Sequence, residues 1–129
     1  MFYTNNEESY YEDSYVTLTE NYLIIKRYFF PSRKNKIVPI DAIKVVNYEP
    51  QTNQMFGSRK LWGPSGTDVY WAFDVKRCLP GNKEKKSDVI VDIEDGLRKG
   101  FTIENTDLFI KTLRNVCHFN LIIADNLNV

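Results

Sequence analysis

The chain has 129 residues, of which 43% are hydrophobic and 26% are charged, and this composition is typical of one globular domain. Its 17 basic residues balance 17 acidic residues, which argues against a nucleic-acid-binding protein held by bulk charge. One histidine and two cysteines are too few for most metal or redox architectures.

The N-terminal segment, residues 1–13, contains four acidic residues and no base, namely Glu7, Glu8, Glu12 and Asp13. The remaining 116 residues therefore carry 17 − 13 = +4 charges. We expect a flexible acidic arm here. The alternatives are an arm that docks on the basic body or on a partner, and an extra short strand.

No segment has the pattern of a signal peptide, and no run approaches the roughly 18 apolar residues of a membrane-spanning helix. We therefore expect a cytoplasmic protein that could also bind peripherally to membranes. In that reducing compartment Cys78 and Cys117 are expected to be free thiols, with a disulfide between them as the alternative.

Alternating apolar residues and turn signals predict seven β-strands, at residues 15–19, 22–30, 36–40, 43–48, 68–77, 88–94 and 97–103. Glu20 and Asn21 suit a two-residue hairpin loop. The clearest alternation is at 68–77, which predicts a half-buried antiparallel strand with Trp71 facing inward. Asp74, Asp88 and Asp92 are predicted to be outward-facing strand carboxylates.

A polar, glycine-punctuated loop is predicted at residues 49–67, and long loops of this kind in small domains are either disordered or functional. After residue 103 the apolar period changes to that of a helix. Asn105 is a suitable N-cap, so we predict a helix over 106–118. The tail at 119–129 is either a final strand or an extension packed on the body.

Seven strands followed by one amphipathic helix resemble the pleckstrin-homology superfold, particularly its bacterial-type PH-like domains. The similarity lies in residues 18–27, 36–46, 59–77 and 95–113. The resemblance implies a mainly β (α+β) fold over residues 14–118, a β-sandwich or partly open barrel capped by the helix. It brings no catalytic motif, and fold does not dictate function.

The candidate binding residues are basic side chains in loops, together with one loop tryptophan, Trp62. The bases are Arg33, Lys34, Arg59, Lys60, Lys83, Lys85, Lys86, Arg98 and Lys99. Each is either a solvated turn residue or part of a patch for an anionic lipid or an acidic protein. Trp62 either pins the long loop to the body or meets a ligand. The first hairpin loop is acidic, which departs from the basic signature of phosphoinositide-binding PH domains.

The sequence contains no arrangement of residues that predicts catalysis, a metal site or a cofactor. The single histidine, His118, is expected at the helix end, where a cation suits the helix dipole. The sequence favours a non-catalytic module that binds a protein through a strand edge and the 49–67 loop. The alternatives are peripheral binding to anionic membranes through the basic loops and a small structural or assembly subunit. A homo-oligomer is also open, and no nucleic-acid partner is expected.

Overall fold

The computed structural model describes residues 8–53, 60–65, 67–79, 81–117 and 121–127, with only the backbone described at Asn53 and Cys78. The predictions made for residues 1–7, Arg59 and His118 lie outside the described residues.

Within these residues the fold is mainly β, with ten strands in two sheets and one α-helix near the C-terminus. The strands are β1 (Ser9–Glu12), β2 (Val16–Thr19), β3 (Tyr22–Ile25), β4 (Lys36–Pro39), β5 (Val45–Pro50), β6 (Gly63–Pro64), β7 (Val69–Trp71), β8 (Ser87–Asp92), β9 (Arg98–Ile103) and β10 (Ile122–Ala124). The helix is α1 (Thr106–Val116), and short 3-10 helices lie at Ile40–Ala42, Gln51–Asn53 and Val75–Cys78.

The first sheet has the order β1-β2-β3-β4 and is antiparallel throughout. The hairpin at Glu20 and Asn21 is confirmed, because Leu18 pairs with Leu23 across it. The prediction of a flexible arm is wrong for residues 9–12, which form β1; the short-strand alternative is the one observed there. The reason is Tyr11, which is buried with its ring 5.3 Å from that of Phe109.

The second sheet has the order β10-β5-β8-β9-β7-β6. Its end strand β10 pairs in parallel with β5, so the tail contributes a strand. The predicted antiparallel strand at 68–77 is too long, because β7 ends at Trp71; β7 pairs antiparallel with β6 and parallel with β9. The chain then turns into a 3-10 helix because the Asp74 carboxylate accepts a hydrogen bond from the Lys76 backbone N–H.

The main core lies between the two sheets. It combines residues of the first sheet with alternate residues of β8 and β9, and α1 adds one face against β1 and β2. Its largest fully buried side chains include Leu18, Leu23, Ile25, Phe101, Ile103, Phe109 and Leu113. A smaller cluster joins Val69, Trp71, Ile90 and Leu127. Both sheets and the helix therefore pack on the same main core.

The helix prediction is confirmed, with an end at Val116 instead of residue 118. The Asn105 side chain accepts a hydrogen bond from the Leu108 N–H at 3.2 Å, which satisfies one donor of the first turn. Cys117 follows the helix as a free thiol, so the disulfide alternative is not formed, and burial raises the pKa of this thiol.

The predicted number of strands and the bounds of one predicted strand are both wrong. β1, β6 and β10 are additional strands at sheet edges, each of at most four residues. The predicted strand at 22–30 ends at Ile25, and residues 26–35 form a loop instead. This loop carries exposed side chains that bear on function.

Candidate binding surface

The loop at residues 26–35 presents apolar and basic side chains together. Phe29 and Phe30 are 41% and 62% exposed. Residues 21–40 contain five bases and no acidic residue. Arg27 and Arg33 both have positive φ, 51° and 64°, a conformation that costs about 1 kcal/mol or more for a residue with a side chain. The fold thus holds this loop in a strained shape, as proteins often do at binding sites.

The segment at residues 60–62 lies against that loop. Trp62 packs edge-to-face on two rings, 4.7 Å from Phe30 and 4.8 Å from Phe73. Its indole N–H donates a hydrogen bond to the Tyr28 carbonyl at 3.2 Å. The predicted pinning of the loop by Trp62 is therefore observed, while the ring stays half-exposed. Its neighbour Leu61 is 41% exposed.

Two arginines cover these rings. The Arg33 guanidinium lies 6.0 Å from the Trp62 ring centre and 5.5 Å from that of Phe73. The Arg27 guanidinium lies 5.7 Å from both Tyr15 and Phe73. We call this set the aromatic–basic surface: Arg27, Phe29, Phe30, Arg33, Leu61, Trp62 and Phe73.

A groove of about 260 Å³ adjoins the aromatic–basic surface. Tyr15 and Phe73 line it, Arg27 and Lys76 contribute cationic side chains, and Asp74 also borders it. The Tyr15 hydroxyl donates to the Asp74 carboxylate at 3.4 Å. Burial, followed by the nearby charge of Asp74, raises the pKa of Tyr15 to about 12, so the hydroxyl stays protonated at neutral pH. The groove has room for one side chain of a binding partner.

The buried side chain of Arg77 holds the 60–62 segment in place. Its Nη1 donates to the Lys60 carbonyl at 2.6 Å, and its Nη2 donates to the Ala72 carbonyl at 3.1 Å. Its Nε lies 3.4 Å from Asp88 Oδ1, an ion pair without hydrogen-bond geometry. The guanidinium also lies 4.7 Å from the centre of the Trp71 ring. Arg77 therefore ties the segment carrying Trp62 to the second sheet.

A buried polar network extends from this ion pair. The Gln51 amide donates to Asp88 at 2.8 Å and to the Thr102 hydroxyl at 3.3 Å, and that hydroxyl donates to Asp74 at 2.7 Å. The prediction that Asp74 and Asp88 face outward is wrong, because both are buried by these contacts. Their hydrogen bonds run to residues distant in sequence, which explains why strand alternation misplaces them.

The structure corrects two of the predicted basic sites. Lys99 is buried, and its ammonium group donates to the Asp95 carboxylate and the Leu97 carbonyl, so it is not part of a surface patch. Arg98 makes a two-pronged contact with Asp68, at 2.9 and 2.7 Å. The hydrogen bonds from Arg98 hold the pKa of the Asp68 carboxyl below its usual value. The positive charge of Arg98 is therefore already paired with Asp68 within the molecule.

The remaining predicted bases fall into two places. Arg33 and Trp62 meet, with Lys34 and Lys60 beside them in the chain, and both of these lysines are exposed. The second place is the loop that carries Lys83, Lys85 and Lys86. The Lys83 ammonium group donates to the carbonyls of residues 76 and 77, and Lys85 is exposed. The Lys86 ammonium group lies 5.9 Å from the centre of the Tyr15 ring.

Several residues of the surface were missed by sequence analysis. Phe29 and Phe30 lie within the predicted strand 22–30, and Phe73 lies within the predicted strand 68–77. The available signal was the run of five bases without an acid across residues 21–40, interrupted by two adjacent phenylalanines before a proline.

The described residues contain no group of three or more His, Cys, Asp or Glu side chains arranged to hold a metal ion. At 11 residues α1 is too short to cross a bilayer, and no other helix in the described part of the chain is long and apolar enough to do so. Comparison of the chain with protein-family models, with curated proteins and with solved structures found no match.

Proposed function

We propose that this chain is a non-catalytic, PH-like binding module that docks a protein partner on its aromatic–basic surface. One observation carries the proposal: the three segments that form the surface, residues 26–35, 60–62 and 72–74, are already hydrogen-bonded to one another. Trp62 donates to the Tyr28 carbonyl, Phe73 N–H to the Arg27 carbonyl at 3.0 Å, and Asp74 N–H to the Leu61 carbonyl at 2.9 Å. Such preorganisation lowers the entropy cost of binding.

The side chains of the surface are those that contribute most to protein–protein affinity. Tryptophan and arginine are enriched among the residues whose truncation weakens binding most, and they act best in partly enclosed positions. Trp62 is half-exposed among two phenylalanines and an arginine. Burying a fully exposed phenylalanine is worth about 1.5–3 kcal/mol, and Phe30, which is 62% exposed, can contribute about two thirds of that on binding.

The charge of the surface indicates the chemistry of the partner. Arg27 and Arg33 are held over aromatic rings, which orients their planar guanidinium groups. A guanidinium in a fixed plane can hold a carboxylate through two parallel hydrogen bonds. The partner segment we propose therefore carries acidic residues beside a large apolar one.

A random peptide library displayed on phage tests this proposal. The wild-type chain is expected to select peptides that combine Asp or Glu with an aromatic or aliphatic residue. Phe30→Ser and Arg33→Glu are each expected to weaken the selected peptides by about tenfold or more. Leu108→Ser and Lys111→Glu, at exposed positions on α1, are matched controls and should change affinity by less than about twofold.

Selection of no peptide would overturn the proposal, as would peptides that bind all four variants like the wild type. The second result would place the binding site elsewhere on the molecule.

A second function, peripheral binding to anionic membranes, is favoured by one specific feature. Phe29 and Phe30 are adjacent and exposed, and Arg33, Lys34 and Lys36 follow them in the same loop and strand. Aromatic side chains at the headgroup level together with bases, each worth about 1 kcal/mol near an anionic surface, would hold such a loop on a membrane.

Vesicle flotation separates the two functions. Membrane binding predicts that the chain floats with phosphatidylserine vesicles at low salt, that flotation fades as salt is added, and that Phe30→Ser abolishes it. Under the protein-binding proposal the chain stays with the soluble fraction at both salt concentrations.

A further inference from the structure

The described strands leave four edges free: β1 and β4 in the first sheet, and β10 and β6 in the second. Free edges expose backbone hydrogen-bonding groups and attract other strands, so proteins usually block them. Three of these edges carry such a block. β1 has a bulge between Ser9 and Tyr11, β4 ends in Pro39, and β6 ends in Pro64.

β10 has neither a bulge nor a proline, and only its length of three residues limits its pairing. Its residues Ile122, Ile123 and Ala124 include no proline and no charge, and its pairing with β5 runs in continuous register. Ile122 is 64% exposed, the largest value among the exposed large hydrophobic residues of the described chain. This edge therefore has an open backbone and an apolar side chain beside it.

We propose that β10 pairs with β10 of a second copy of this chain, antiparallel and about a twofold axis at Ile123. Two six-stranded sheets would then join edge to edge. In this register Ile122 lies opposite Ala124 of the partner subunit, and the reverse pair forms by symmetry. The two Ile122 side chains then become diagonal neighbours on one face and cover each other.

The sequence around β10 favours this occupant and this direction. The strand is uncharged, so it complements itself better than it would complement a charged segment. Asp125 follows the strand at its C-terminal end. Antiparallel pairing places the two Asp125 residues about 13 Å apart along the ladder, whereas parallel pairing would set them side by side, where like charges destabilise.

The association we infer is weak. A three-residue strand buries far less than the roughly 800 Å² per subunit of a stable interface. We therefore expect a dissociation constant on the order of 100 µM. The interface does not use the aromatic–basic surface, so this inference stands or falls independently of the proposed function.

Sedimentation velocity on the full chain tests the inference between about 10 µM and about 1 mM. The wild type should move from monomer to dimer across this range. Ile122→Lys should stay monomeric, because the two substituted side chains would face each other diagonally. Ile37→Lys, an exposed isoleucine on the β4 edge, is the matched control and should dimerise like the wild type.

A mixing experiment tests the register. Ile122→Lys and Ala124→Glu should each be monomeric alone, yet they should associate when mixed, because each substituted residue then faces one of opposite charge. Circular dichroism checks that both variants keep the fold. A wild type that stays monomeric at about 1 mM overturns the inference. So does a dimer that survives Ile122→Lys, or a pair of monomeric variants that fails to associate on mixing.

Discussion

Replacing Arg77 with leucine should destabilise the fold strongly. The Arg77 and Asp88 side chains that form the ion pair have no exposed surface. Leucine would remove the ion pair and the hydrogen bonds to the Lys60 and Ala72 carbonyls, leaving the carboxylate of Asp88 buried without its cation. Removing one partner of a buried pair costs about 3–5 kcal/mol.

The matched control is Arg98→Leu, which also removes an arginine from an Asp pair. The side chains of Arg98 and Asp68 are 15% and 52% exposed, so water screens this pair. We expect a loss below about 1 kcal/mol, although its geometry is the better of the two. The comparison separates the effect of burial from the effect of hydrogen-bond geometry.

Urea denaturation followed by circular dichroism measures both free energies of unfolding. A domain of this size gains or loses about 3–5 °C in Tm per kcal/mol, so Arg77→Leu should lower Tm by about 10–20 °C and Arg98→Leu by less than about 5 °C. Below the transition, hydrogen exchange at the Asp74 amide, which donates to the Leu61 carbonyl, should accelerate in Arg77→Leu alone. If Arg77→Leu costs no more than Arg98→Leu, the buried pair does not hold this part of the fold, and the argument is refuted.

Three further predictions concern other contacts. Gly100→Ala would place a Cβ 2.7 Å from Cδ2 and Cζ3 of Trp71. It should therefore lower the free energy of unfolding, measured by urea titration, by about 1–3 kcal/mol. A smaller loss in a Trp71→Leu background would confirm that the indole ring is the cause. The buried Tyr28 hydroxyl has no hydrogen-bond partner among the described residues. Tyr28→Phe should therefore leave the free energy of unfolding unchanged or raise it by up to about 1 kcal/mol, and a clear loss of stability would contradict this. The hydrogen bond from the Ser14 N–H lowers the pKa of Glu104 in the folded state. The stability that this carboxylate contributes is therefore complete above its unfolded pKa of 4.5 and is lost as pH falls through the lower folded pKa. Glu104→Gln should make Tm depend less steeply on pH between about pH 5 and pH 3, and an unchanged slope would contradict this.

Local sequence patterns were enough for the elements whose stability depends on their own residues. The helix follows from apolar spacing and the Asn105 cap. The hairpin at Glu20 and Asn21 follows from turn chemistry between two apolar runs. β8 and β9 follow from apolar residues at alternate positions, because Val89 and Val91 of β8 and Phe101 and Ile103 of β9 pack on the main core. In these elements the period of the sequence and the geometry of the backbone agree.

Edges and buried charges depended on the tertiary structure. β1 and β10 are strands because neighbouring strands pair with them, and neither has enough apolar alternation to be recognised alone. Nothing in the local sequence marks Lys99 as buried, yet the structure buries its side chain and pairs it with Asp95, whose own side chain is 44% exposed.

The candidate site divides in the same way. The sequence indicated that Trp62 either pins its loop or meets a ligand and that basic residues lie near it, and the structure shows the pinning. It did not indicate Phe73 or Phe30 as its neighbours, because they come from segments that follow strand patterns locally. The chain leaves those patterns after Ile25 and after Trp71. Alternation within a strand is a property of neighbouring residues, so it can be recognised from the sequence. The contacts of Arg77 with Lys60 and Asp88 join residues 17 and 11 positions apart, so they exist only once the sheets have packed.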